Sequence, residues 1–441
     1  MTTEAPARLG ALRIGRAVAS SPISVWAAFV LVHLWLGLVN LYAPSAPLGD
    51  VSVVYRFWMD QAMQGTWVGI DTAWVYPIVA IVPMLAALLF GPDQYASTWL
   101  SMIMILNAVA FGFVTGWGRS RECVALGWWW VGFLLLLGPI ALGRIDSVTV
   151  PIAMVGVLVV ATRPRAAAVL LSVATWIKIW PAAILLAMVI ALRERLRMIV
   201  AAAIVSAVIV AVALLLGSGQ NVLSFITQQS ERGLQVEAPV STIWLWRALA
   251  GEFGTYVYYD MGILTYQVDG DGTAFAASIM TPLLVVAVAV IALLGVRSVR
   301  HGAQPSDLLP PLALALVTAF IAVNKVGSPQ FVCWLAVPIA LGIATRIAGS
   351  GRSFRTPGAI VLVLAGLTQL VYPYLYNELL TLNPLMVIVL TSRNLLYFVL
   401  LGWAIHAIVT APREAAPDDD AVWLPSVWPL AASSADVTQN R

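Results

Sequence analysis

The sequence predicts an all-α polytopic integral membrane protein, and three observations carry that prediction. Of the 441 residues 61% are hydrophobic and 10% charged, with a mean hydropathy of +0.91. Soluble domains carry roughly 25% charged residues. Apolar runs of about 20 residues, each long enough to cross a bilayer, recur along nearly the whole length. Short segments of alternating polarity, which a membrane β-barrel needs, are not visible.

The first run, Ser24–Tyr42, follows Arg8, Arg13 and Arg16. The small residues of "APSA" behind it look like a cleavage site, but the run exceeds the roughly 7–15 residues of a signal-peptide core. It is read as an uncleaved span with the N-terminus in the cytoplasm. The other runs lie at 73–91, 96–116, 123–141, 147–162, 166–191, 198–216, 274–296, 307–324, 331–345, 357–373 and 384–409. Twelve spans, some of them re-entrant or short, put both termini inside. Residues 1–410 then form one transmembrane domain with outer loops at 43–72 and 217–273. The tail 411–441, with "PREAAPDDD" and then small and polar residues, reads as a disordered cytoplasmic segment.

The later half follows the positive-inside rule: Arg193, Arg195 and Arg197, Arg297 and Arg300, and Arg346, Arg352 and Arg355 all fall inside. Strict alternation breaks the rule earlier, because it sends Arg119, Arg121, Arg163 and Arg165 outside. A second reading restores it. Residues 73–91 become a re-entrant pair broken at Pro77 and Pro83, and 166–191 becomes a hairpin turning near "KIWP". Gly143–Asp146 and Lys178 then move toward the outer face, where broken helices can line a polar cavity. The loop 217–273, with Trp244, Trp246, Tyr256, Tyr258, Tyr259 and Tyr266, suits an interfacial, partly helical cap.

Several function classes drop out. The net charge of +3 is spread through loops, so no nucleic acid is expected as a partner. Two cysteines, Cys123 and Cys333, make no disulfide framework. The chain has no Walker-type P-loop, no Cys/His metal spacing, no HExxH and no GxSxG.

Polar residues at membrane depth remain, and these are costly and tend to be functional. Asp50, in "PLGDVSVVYRFW", stands just past the first span. It is either an ordinary loop acid or a general base, its pKa raised by the apolar stretch behind it. Arg144 and Asp146, in "GRIDSVTVP", are either an ion pair with each other or a site in which Arg144 faces a phosphate. Lys178, in "ATWIKIWP", either snorkels or faces a bound anion. Asn324, Lys325, Ser328 and Gln330, in "NKVGSPQFVCW", form a polar turn or a cluster suited to phosphate or sugar. Lys178 and Lys325 are the only lysines among 24 basic residues.

These segments, "GDVSVVYRFW", "WVYP", "GRIDSVTVP", "IKIWP" and "NKVGSPQ", resemble in order the family 87 glycosyltransferases, over about residues 20–410. One departure is Tyr76–Ile78, which reads Tyr-Pro-Ile where many relatives read Tyr-Pro-Pro. The resemblance implies a GT-C type bundle in the cytoplasmic membrane with its active site facing outside. It implies a polyprenyl-phosphate sugar, often the mannose, as donor, and a hydroxyl of a glycolipid or cell-envelope glycan as acceptor. Asp50 matches the family's catalytic acid, and Tyr55 and Tyr76 would line the site. Arg144, Asp146, Lys178, Lys325 and Gln330 complete the expected substrate-binding set. No cofactor is expected, and a divalent metal stays open as an alternative. A transporter or flippase for a lipid-linked or anionic solute is the competing reading, though no matching half-repeats are found.

Overall fold

A computed structural model describes residues 20–118, 120–230 and 232–412. The arginines at 8, 13, 16 and 119, and nearly all of the expected tail, lie outside these residues. Among the described residues nine helices are long and apolar enough to cross a membrane. Three shorter apolar helices lie between them. In chain order the twelve are α1 (Pro22–Tyr42), α2 (Pro92–Val114), α3 (Val124–Ala141), α4 (Asp146–Leu158), α5 (Pro164–Ile177), α6 (Pro181–Ala191), α7 (Arg195–Leu215), α8 (Thr273–Arg300), α9 (Pro305–Ala322), α10 (Pro329–Ile347), α11 (Arg355–Tyr374) and α12 (Pro384–Val409).

Proline writes much of this punctuation. It stands in the first turn of α1, α2, α5, α6, α9, α10 and α12. Its missing N–H costs nothing there, and its φ is already helical. Pro181 for the same reason divides the run 166–191 into two helices. The break falls at Lys178, whose backbone is extended. The span expected at 73–91 does not form. After Pro77 only a 3₁₀ turn, Ile78–Ala80, and a short helix, Ile81–Ala86, are built. Together these cover roughly 13 Å, well short of a bilayer core of about 30 Å.

The bundle has a centre and a rim. Over their most apolar 18 residues α9 and α10 are 83% buried, whereas α7 and α8 are 11% and 17% buried and present apolar faces outward. It also has two unlike ends. Helices α4 and α5 run antiparallel: Asp146 meets Lys178 at one end, and Gly156 packs on Leu171 toward the other. Trp176, at the end of α5, bonds Ser206 and packs on Phe225 beyond the end of α7, so α5 and α7 start at the same end. Gly295 packs against Leu312 and Ile190, and Ser298 bonds the Ile408 carbonyl at 2.9 Å. Arg352 reaches Thr410. Pro22 meets Gly118. One end therefore collects Arg121, Arg163, Arg165, Arg193, Arg195, Arg197, Arg297, Arg300, Arg346, Arg352 and Arg355. This is the distribution of the hairpin reading, not of strict alternation.

The opposite end is capped by residues 217–230 and 232–272. Helical here in part, the cap also holds a three-stranded antiparallel sheet in the order β1-β3-β2: β1 (Leu234–Gln235), β2 (Tyr256–Asp260) and β3 (Thr265–Asp269). Aromatic and β-branched residues such as Tyr256, Val257, Thr265, Tyr266 and Val268 suit such strands. Side chains tie the cap down. Ser218 donates to the Gly69 carbonyl and Asn221 to that of Ile70, both at 2.7 Å. The Gln235 N–H donates to the Lys325 carbonyl at 3.1 Å. Gly327 makes that approach feasible, since a Cβ there would lie 2.1 Å from the Ala238 nitrogen.

Candidate active site

Asp50 opens a π-helical turn, Asp50–Tyr55, that leads from the end of α1 into the helix Arg56–Met63. Such wide turns recur at functional positions. Val51 and Tyr55 point into the core, at 0% and 1% exposure. The Asp50 side chain stays 41% exposed, with its Oδ2 3.0 Å from Arg144 Nε. The apolar stretch thus does not seal the acid away, as desolvation would require. An arginine holds it instead.

Arg144 lies between α3 and α4 and is buried. Its Nη1 donates to the carbonyls of Pro47 at 2.9 Å and Gly143 at 2.7 Å, and its Nη2 to the Tyr372 hydroxyl at 2.8 Å. Three of the five N–H donors of the guanidinium are thus hydrogen-bonded, and its Nε is ion-paired with Asp50. Gly143 is needed beside it: a Cβ would stand 3.2 Å from the same Pro47 carbonyl. Arg144 and Asp146 do not pair with each other. Two residues apart at a helix start, they face different ways.

Asp146 is fully buried. Its Oδ1 accepts from the Trp334 indole at 2.7 Å, and its Oδ2, with no hydrogen-bond donor, lies 4.0 Å from Lys178 Nζ. Lys178 also sits over the Tyr76 ring at 4.6 Å and the Phe331 ring at 5.8 Å. The bare anion-facing lysine expected from sequence is already balanced by a carboxylate. Tyr76 packs edge-on to Tyr55 at 6.2 Å, within an aromatic box completed by Trp58 and Trp74. The Ile145 N–H donates to the Tyr55 hydroxyl at 3.1 Å. Asp50, Tyr55, Tyr76, Arg144, Asp146 and Lys178 thereby form one connected cluster.

Lys325 and Gln330 are buried, at 5% and 7% exposure, so their segment is not a surface turn. Gln330 directly precedes Phe331, and Lys325 is reached electrostatically by Arg232. Burial first, and Arg232 second, hold the Lys325 ammonium below its ordinary pKa. Sequence reasoning missed Tyr372, Trp334, Arg232 and the buried Glu237–Arg393 pair, whose atoms stand 2.8 Å apart. Only Arg393 left a signal, as a charge within an apolar run. Among the described residues no group of three or more His, Cys, Asp or Glu side chains is placed to hold a metal ion.

A helical bundle with an accessible ion-paired acid and several buried cations at one end is a polytopic membrane protein built around a polar site. The family model for glycosyltransferase family 87 matches residues 74–323, more than half of the chain, and the protein belongs to that family. It is a multi-pass membrane glycosyltransferase. The match takes in Tyr76, Arg144, Asp146 and Lys178, while Asp50, Tyr55, Lys325 and Gln330 lie outside it. No curated protein and no solved structure matches the chain.

Proposed function

We propose that the protein moves a sugar, mannose above all, from a polyprenyl phosphate to a hydroxyl of a glycolipid or cell-envelope glycan. The site would face the outside of the cytoplasmic membrane. The observation that carries this reading is the placement of the Asp50–Arg144 pair. It lies at the end of the bundle opposite the arginine-rich loops, which the positive-inside rule assigns to the cytoplasm. A lipid-linked donor is the form of activated sugar that suits such a site, since its anomeric carbon lies at the membrane surface.

Asp50 is the proposed general base. It accepts the proton of the acceptor hydroxyl as that oxygen attacks the anomeric carbon. The bond from that carbon to the phosphate oxygen breaks, and its electron pair leaves with the lipid phosphate. One displacement inverts the anomeric centre. Fixed cations stabilise the charge on the leaving group; Arg144, Lys178 and Lys325 are the cations the sequence points to, and of these Arg144 is the one ion-paired with the base itself. Tyr55, Tyr76 and Gln330 line the site, while Arg144 and Asp146 hold Asp50 and Lys178. Residues 1–410 would act as a single domain, and no cofactor enters the scheme, so transfer should survive chelation by EDTA.

The test uses purified protein in lipid nanodiscs with a polyprenyl-phosphate mannose donor. Asp50→Asn should lower transfer about 10²- to 10⁴-fold, the usual worth of a general base, without loss of folded protein. Full activity in that variant would remove Asp50 as the base. No transfer by the wild type from any polyprenyl-phosphate sugar would remove the donor.

A further inference from the structure

On the reading of a lipid-phosphate donor, we infer that Arg232, with Lys325 beside it, holds the phosphate of the donor and of the product lipid. Five other cations at this end of the bundle have acids of their own. Arg56 pairs with Asp60, Arg144 with Asp50, Lys178 with Asp146, Arg247 with Glu252 and Arg393 with Glu237. Arg232 differs. Among the described residues it enters no hydrogen bond or ion pair, and its Nε is buried without a partner. Asp260 acts on it electrostatically, but that carboxylate is taken up by the N–H groups of Gly262 and Ile263 and by the Gln267 amide.

A half-buried guanidinium whose Nε is sealed off without a partner, and whose nearest acid is engaged by other donors, is costly. A site keeps one where an anion arrives to complete it, and the planar fork of arginine fits a phosphate through two parallel bonds. The location agrees. Arg232 lies within electrostatic reach of Tyr76, whose ring carries the Lys178 ammonium. It is three residues from Gln235, which is bonded to the Lys325 carbonyl. Tyr55, in contact with Tyr76, leads from there to Asp50 and Arg144. Two cations, Lys178 and Arg232, thus act on Tyr76, with Lys325 in reach of Arg232, and Tyr55 connects Tyr76 to the acid. Arg144, with three donors spent inside the protein and its Nε against Asp50, is not the phosphate ligand.

The experiment measures lipid binding to the protein in nanodiscs by native mass spectrometry. The probes are a short polyprenyl phosphate, the matching polyprenol and phosphatidic acid. The wild type should prefer the polyprenyl phosphate to the polyprenol. Arg232→Gln should weaken that binding about 10- to 100-fold, the worth of a charge-assisted hydrogen bond or two, while Arg232→Lys should recover part of it. The KM for donor should rise with the loss of binding. A folded Arg232→Gln that binds the polyprenyl phosphate as tightly as the wild type would overturn the assignment and leave the donor standing. Equal wild-type binding of phosphatidic acid and polyprenyl phosphate, both lost in Arg232→Gln, would support Arg232 as the anion ligand and refute polyprenyl selectivity. No preference of the wild type for phosphate over alcohol would sink both.

Discussion

The Nε of Arg144 stands 3.0 Å from the Asp50 carboxylate, across 94 positions of chain, while the same guanidinium is anchored to the Pro47 and Gly143 carbonyls and to Tyr372. Asp50 is partly exposed and sits on a π-turn, so its own backbone does little to fix the carboxylate. Arg144 therefore acts as a positioning residue. Arg144→Lys keeps the charge but cannot reproduce the fork of bonds. Transfer should fall about 100-fold, the usual penalty for a catalytic group displaced by roughly 1 Å. The loss should sit in kcat, with the KM for donor little changed. A large rise in KM at constant kcat would instead make Arg144 a substrate ligand.

Lys178 and Asp146 are unequal partners. Asp146 is fully buried, whereas the Lys178 side chain keeps 15% exposure and rests on the Tyr76 ring. Removing the lysine strands a carboxylate in the core, and removing the acid strands a cation that still has a ring face and some water. Lys178→Gln should therefore lower the melting temperature in detergent more than Asp146→Asn, in which the bond from Trp334 can survive. The double variant should lose less than the two singles together, because it leaves no lone charge. Additive losses would show that the pair is not coupled.

The class of fold was legible because apolar runs of bilayer length are hard to mistake. Where hydropathy alone was the guide, it overreached. The stretch 73–91 is apolar enough to span, but Pro77 leaves room for only a short helix. The individual polar residues stood out against that apolar background, which is why Asp50, Arg144, Asp146 and Lys178 could be named. Their pairing could not be read. Arg144 and Asp146 are neighbours in sequence yet turn to different partners, and nothing local points to Tyr372 or Trp334. Arg232 and Glu237 sit in a loop where a charge is ordinary, and only the folded cap shows that Glu237 is buried and Arg232 half-buried. The small sheet went unread because its tyrosines also suit a membrane interface.

Glu237 and Arg393 join the cap to α12. Their side chains are 3% and 2% exposed, 2.8 Å apart, and the Arg393 Nη2 also donates to the Glu237 carbonyl at 3.0 Å. Breaking such a pair from one side leaves an uncompensated buried charge, at a cost of about 3–5 kcal/mol. Glu237→Gln should therefore loosen the cap over the site, seen as faster hydrogen exchange in 234–269 and a lower melting temperature. Replacing both partners together, Glu237→Leu with Arg393→Met, should cost less than Glu237→Gln alone, because neither charge is left behind. Exchange in the cap that does not change in Glu237→Gln would mean that the cap is held by its other ties, from Ser218 and Asn221 to the loop at Gly69 and Ile70. Arg393 would then serve α12 alone.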